Sequence, residues 1–209
     1  MAVGLRSFAT SDTKDGPWSL VAGTPLEEVA GACARIAQSQ APVLLTGPSG
    51  PAKELLARFV HASSVRAEGP FVALDVAAIP PALVESELYG YVKGAFPGAA
   101  SPRRGRLMMA ESGTLFLDGV GELSPELQLK LLRLLSEHRY LPLGADLAVP
   151  ADIRLVAASD RVLAAEVGAG RFRRDLYFRL NVCPVRVPEL PADGRGPAPP
   201  PAWEAIARG

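Results

Sequence analysis

A three-layer α/β sandwich, with a mostly parallel five-stranded sheet between two layers of helices, is the fold class this 209-residue sequence predicts. Three observations predict it. Short apolar runs alternate with helical patterns along the chain. The runs are apolar at nearly every position, as strands buried on both faces are. With 48% of residues apolar and 21% charged, the chain can bury one substantial core.

Residues 1–23 mix Gly, Ser, Thr and charge without a period and read as a loose lead-in. A helix is expected from Thr24 to about Gln38. Thr24 can cap it, Pro25 suits its first position, Glu27 and Glu28 favour its positive end, and Leu26, Val29, Ala30, Cys33 and Ile36 form an apolar stripe. "VLLT" then predicts a strand, and after a Gly/Pro turn Leu55, Leu56, Phe59 and Val60 fall at helical spacing. The order repeats: "FVALDV" before "PALVESELYG", "TLFLD" before "SPELQLKLLRLLSEH" and "IRLVAAS" before "RVLAAEVGAG", with "VCPVRV" as the last strand. One domain over 24–190 is expected, followed by a Pro/Gly-rich disordered tail over 191–209, where Trp203 and Ile206 offer either a short sticky turn or a solvated end.

Lys and Arg total 22, as do Asp and Glu, so no whole-molecule field draws the chain to nucleic acid or an anionic membrane. No apolar run approaches the roughly 18 residues of a membrane span, and the N-terminus lacks the apolar stretch of a signal peptide. A cytoplasmic location is the expectation. Cys33 and Cys183 are too few and too scattered for a disulfide framework or a zinc site and are read as core thiols.

"LLTGPSGPAKE" sets Gly47, Pro48, Ser49, Gly50, Pro51, Ala52, Lys53 and Glu54 between a strand and a helix, the context of a phosphate-binding loop. Backbone N–H groups at a helix N-terminus face phosphate oxygens there, with the lysine as a positive charge. Ala52 puts a methyl where glycine would allow close approach, and Pro51 removes an N–H. The plain alternative is an ordinary Gly/Pro turn with a surface lysine.

"TLFLD" adds a buried strand ending at Asp118, where a carboxylate can hold the Mg²⁺ that escorts ATP phosphates. The two motifs are expected to face each other across adjacent strands. Gly119 stands where a hydrolase of this kind carries a glutamate to deprotonate the attacking water. Positioned acid–base groups contribute about 10² to 10⁴ in rate, so the loss adds roughly 3 to 5 kcal/mol to the barrier. Glu122 is the nearest substitute, but three residues of chain direct its side chain elsewhere.

With these motifs placed, the chain from about Val21 to Leu190 resembles the central AAA+ module of NtrC-type bacterial enhancer-binding proteins, which activate sigma-54 RNA polymerase. "ESELYGYVKGAFPGA" is the most specific piece, being similar to that family's ESELFGHEKGAFTGA segment. "GTLFLDGVGELSPELQLKLLRLLSE" and "GRFRRDLYFRLNVCPVRVPEL" match as closely.

The resemblance implies ATP with Mg²⁺ as cofactors and an AAA+ homo- or hetero-oligomer. It implies that the loop Gly94, Ala95, Phe96, Pro97, Gly98 and Ala99 grips sigma-54, with Gly94 and Gly98 shaping a tight tip and Phe96 presenting its ring. Pro97 replaces the family's threonine, which puts that engagement in question. Arg173 and Arg179 match the arginine fingers that reach a neighbour's γ-phosphate, and Ser159 and Asp160 occupy the sensor I position, where Thr-Asn is usual. Asp75 replaces the asparagine that holds the catalytic glutamate. After "VPEL" the family continues into an α-helical lid and usually a DNA-reading helix-turn-helix. A proline-rich stretch follows here, so neither a lid nor sequence-specific DNA binding is expected. The implied function is an ATP-binding module in transcription regulation with impaired hydrolysis. The alternatives are a non-hydrolysing subunit docked on an active paralogue and a gene remnant.

Overall fold

The computed structural model describes Pro17 and residues 21–189. In chain order the elements are α1 (Glu27–Ala37), β1 (Val43–Thr46), α2 (Ala52–Ala62), β2 (Phe71–Asp75), α3 (Pro81–Tyr89), β3 (Gly90–Tyr91), β4 (Arg103–Arg104) and α4 (Arg106–Met109). They continue with β5 (Thr114–Asp118), a 3-10 turn (Val120–Glu122), α5 (Pro125–Glu137), β6 (Arg139–Tyr140), β7 (Val149–Pro150), β8 (Arg154–Ser159), α6 (Leu163–Gly168), α7 (Arg174–Leu180) and β9 (Cys183–Arg186).

The five longer strands form one sheet in the order β2-β5-β8-β1-β9, and every pair is parallel. Side chains alternate across it, as the two-residue strand period requires. Leu44, Leu74, Leu115, Leu117, Leu155 and Ala157 pack with helices α3, α4, α5 and α7. Val43, Leu45, Phe116, Val156, Ala158 and Val185 pack with α1 and α2 on the other face. All five strand C-termini therefore lie at one edge, where the sheets of such folds bind ligands.

Three expectations change. The first helix begins at Glu27, because Thr24 serves the turn before it: its hydroxyl donates to Val21 O at 2.6 Å and accepts from Leu26 N at 3.2 Å. Val21 is fully buried, so packed chain starts upstream of Thr24. β1 and β5 are not neighbours, since β8 lies between them. Cys33 is a core thiol pushed up to about 11 by burial, whereas Cys183 on the edge strand β9 is only half-buried. The tail over 191–209 and most of the lead-in lie outside the described residues.

Arg154, at the start of β8, is fully buried. Its guanidinium donates to Ala37 O at 2.6 Å and Ile36 O at 2.9 Å, closing the C-terminal turn of α1 with a cation where the helix dipole favours one. Replacing Arg154 with alanine leaves those carbonyls without a donor and empties a large side-chain volume. The expected loss is about 3 kcal/mol, a fall in the thermal midpoint of about 6–12 °C for a chain of this size.

His61, on the buried side of α2, holds Thr114 Oγ1 at 2.9 Å through Nδ1. Burial lowers its pKa below 6.5; a bond involving Gly69 opposes the shift, and the charges of Arg154 and Arg58 reinforce it. The unfolded chain therefore takes up this proton at a higher pH than the folded chain. The contribution to stability is complete above about pH 6.5 and declines as pH falls through the folded value. Melting curves at about pH 7.5 and 5.5 should show that decline, and His61→Gln should flatten it.

Candidate functional site

The predicted phosphate loop, Gly47–Glu54, leaves the end of β1 and enters α2. Its base is fixed by Gly47 N donating to Ser159 O at 3.3 Å and Val187 N donating to Thr46 O at 2.7 Å. Pro51 takes the N-cap position of α2 with φ −72°, a value its ring prefers. The N–H groups of Ala52, Lys53 and Glu54, in the first helical turn, have no carbonyl four residues back to bond and point out of the helix end. Ala52 is buried with the α1/α2 layer, so its methyl turns into the core and leaves the mouth of the loop open. Lys53 is also buried, and its Nζ donates to Pro48 O at 2.7 Å, folded back across its own loop. The Glu54 carboxylate is held by Arg58 at 2.6 Å, which leaves only its backbone to face a phosphate. This cradle fits a polyphosphate: helix-end amides, a lysine folded across the loop and no carboxylate turned inward from α2.

Across the strand edge, β2 and β5 pair Asp75 with Asp118 in register. Burial raises the pKa of Asp118 above 3.8; Lys53 and the Gly119 N–H, which donates at 2.9 Å, act against burial, and the charges of Asp75 and Asp160 act with it. Lys53 and Asp118 thus lie within electrostatic reach of each other although β8 separates their strands. Ionised Asp118 is costly to the fold, so Asp118→Asn should raise the thermal midpoint at neutral pH, measured by calorimetry. Among the described residues no group of three or more His, Cys, Asp or Glu could hold a metal. A single carboxylate fits Mg²⁺ that arrives with nucleotide, because such an ion takes most of its ligands from phosphates and water.

The remaining predicted groups sort by position. Ser159 is buried and its hydroxyl is consumed by Arg161, accepting from its N at 3.1 Å and donating to its O at 3.0 Å. Asp160 is exposed and accepts from Ser49 Oγ at 2.8 Å, joining the end of β8 to the phosphate loop. That hydrogen bond, then one from its own backbone and the charges of Lys53 and Arg161, hold the Asp160 carboxyl below the usual range despite some burial. Gly119 has φ +72°, a left-handed backbone, and beyond it the Glu122 carboxylate is paired with Arg161 at 2.5 Å. Arg161 carried no signal in the sequence, because nothing in its spacing marks a residue that meets Glu122 only through the fold.

Arg173 is the N-cap residue of α7 and forks onto Asp175 at 3.0 and 2.7 Å. Arg179, in the last turn, donates to Leu135 O at 3.2 Å. The two open on separate hollows, Arg173 beside Arg174 and Phe178, and Arg179 in an apolar groove of about 210 Å³ with Leu134, His138 and Val182. Neither lines the hollow of about 420 Å³ that runs from Gly47 and Asp160 past Leu163 to Tyr177.

The loop Gly94–Ala99 closes on itself through Gly94 N to Ala99 O at 2.9 Å and Ala99 N to Phe96 O at 3.0 Å. Pro97 costs none of the closing bonds, which use the N–H groups of Gly94, Ala95, Ala99 and Ala100. Phe96 is 41% exposed and lays its edge against Tyr91, with ring centroids 4.9 Å apart. The β6–β7 hairpin, which the sequence did not announce, braces this loop: Val92 N donates to Leu143 O at 3.1 Å and Leu143 N to Gly90 O at 3.0 Å. Gly144, at φ +73°, sits so close that a Cβ there would lie 2.7 Å from Ala95.

A parallel sheet with a phosphate loop after its first strand and an acidic strand tip beyond the intervening β8 defines an AAA+ P-loop module. A family model described as the Sigma-54 interaction domain matches residues 21–186, and the chain belongs to that family. It is 52% identical over 157 residues to the transcriptional regulatory protein ZraR of Escherichia coli (strain K12), covering 75% of this chain and 36% of that one. It is 49% identical over 155 residues to the Nif-specific regulatory protein of Bradyrhizobium diazoefficiens, covering 74% and 27%. The chain thus spans about a third of the length of the curated relatives it matches. Among solved structures, NtrX from Brucella abortus in complex with ATP superposes with a TM-score of 0.72 at 36% identity, over 78% of this chain and 35% of that one. The P-loop NTPase domain of the Sigma-54 transport activator from E. coli gives 0.53 at 18%, over 80% and 95%, a likeness of fold alone. Among the described residues, no helix is long and apolar enough to cross a membrane.

Proposed function

We propose that this chain is the ATP-binding module of a sigma-54-dependent transcription regulator whose own hydrolysis is impaired. The observation that carries the reading is the loop after Asp118: the position of the water-activating glutamate is Gly119, and Glu122 is tied to Arg161. Gly47–Glu54 would hold the triphosphate by backbone amides and Lys53. Asp118 would bind Mg²⁺, which supplies charge neutralisation on the phosphates. Asp160, with Ser159 behind it, would sense the phosphate end through the bond from Ser49. The Gly94–Ala99 loop, with Phe96 exposed, would be the contact to sigma-54.

The test is a titration of a fluorescent ATP analogue with and without Mg²⁺, beside a steady-state ATPase assay. Binding that strengthens with Mg²⁺ while turnover stays at the level of a Lys53→Ala control supports the reading. Turnover well above that control defeats it.

A second reading, a non-hydrolysing subunit that docks on an active paralogue, is favoured by Arg173 and Arg179. Neither faces its own phosphate loop, as suits groups that serve a neighbour. Mixing the chain with a complete activator should change that partner's ATPase rate; an unchanged rate and no co-elution would exclude docking.

A further inference from the structure

Gln128 is buried, with 1% of its surface exposed, in the second turn of α5. Its side-chain amide makes three bonds to two separate places in the chain. Nε2 donates to Leu123 O at 2.9 Å and to Arg171 O at 3.0 Å, and Oε1 accepts from Arg173 N at 2.8 Å. Only this orientation satisfies all three partners: turning the amide over would set nitrogen against an N–H and oxygen against two carbonyls. One side chain thus clamps the exit of the loop that follows Asp118 and both flanks of the turn that presents Arg173.

A second track joins the same two places along the surface. Glu122 pairs with Arg161 at 2.5 Å, Arg161 approaches Glu166 at 3.8 Å, and Glu166 holds Arg171 at 2.7 Å. Each pair is partly exposed and adds little stability by itself. Together with the buried clamp they tie the Arg171–Arg173 turn to the Val120–Leu123 segment.

We propose that Gln128 is a positioning residue: it sets where Arg173 is offered to a neighbouring subunit's phosphates and makes that position follow the loop behind Asp118. This rests on the reading of Arg173 as a group that serves a neighbour. The nucleotide pocket of one copy would thereby govern the arginine it extends to the next, with the buried amide as the principal link.

The test uses the full chain and, as acceptor, a hydrolysing sigma-54 activator whose own finger arginine has been replaced, so that ATP turnover needs an arginine supplied in trans. Parent chain should restore turnover and Arg173→Ala should not. Gln128→Leu, close in volume, should lower the kcat of the mixture at least tenfold with KM for ATP unchanged, while its own affinity for the ATP analogue matches the parent's. Assays run below the thermal midpoint of every variant, with fold checked by circular dichroism. Gln128→Leu that restores turnover as well as the parent overturns the positioning role. Loss of analogue affinity in Gln128→Leu also overturns it, since the side chain would then be a general prop. No restoration by the parent, or full restoration by Arg173→Ala, removes the reading of Arg173 and the inference with it, and neither result depends on Gln128.

Discussion

Gly119→Glu, combined with Asp75→Asn, is expected to raise ATP turnover by about 10² to 10⁴ over the parent chain, the range a positioned general base contributes. Room for the side chain exists. A Cβ at Gly119 would meet Ala77 N at 3.5 Å, Val76 Cβ at 3.7 Å and Ala77 Cβ at 3.8 Å, all ordinary contacts. The obstacle is the backbone, whose left-handed φ of +72° costs a side-chain-bearing residue about 1–2 kcal/mol. A second obstacle is charge. Asp75 lies in register with Asp118, so a glutamate at 119 would add a third carboxylate to a crowded edge. Asparagine at 75 removes one of those charges and keeps the bonds Oδ1 now accepts from Ala77 N and Ala78 N. The single variant Gly119→Glu should therefore gain less than the pair. Turnover is read by phosphate release at saturating ATP, and a double variant no faster than the parent would show that the missing glutamate is not what limits hydrolysis.

Lys53→Ala is expected to weaken binding of an ATP analogue by about 10- to 150-fold, the worth of one charge-assisted hydrogen bond to phosphate. In the free protein the ammonium already spends one donor on Pro48 O, and its two remaining hydrogens are what a phosphate would engage. Two further effects are expected from the same change. Asp118 loses the nearby cation that opposes the effect of burial, so its pKa should rise further, and Asp160 loses one of the charges that hold it low. Both shifts are measurable by NMR titration of the carboxylates. Unchanged analogue affinity in Lys53→Ala would mean that Lys53 does not engage the phosphates.

The sheet was legible because each of its strands is an apolar run bounded by turn residues, and the layers because the intervening segments keep helical spacing. The start of α1 was not, since Thr24 can bond either the first turn of a helix or the turn before it, and the choice depends on Val21. The order of strands is a tertiary fact. Nothing along the chain says that "IRLVAAS", the fourth strand of the sheet in sequence, slips between the first and third. The two-residue strands of β3–β4 and β6–β7 are too short for any period to show. At the site, the phosphate loop and Asp118 were visible as motifs. The state of Ser159 and the partners of Arg161 and Gln128 were invisible, because each depends on chain brought from 2 to 45 residues away.

The contact between Gly144 and Ala95 makes the exposed tip and its brace one inherited unit. A chimera that borrows the 139–150 hairpin from a relative but keeps the native loop would drive any side chain at position 144 into Ala95. Exchange of binding specificity between members of this family should therefore succeed only when both segments are transplanted together.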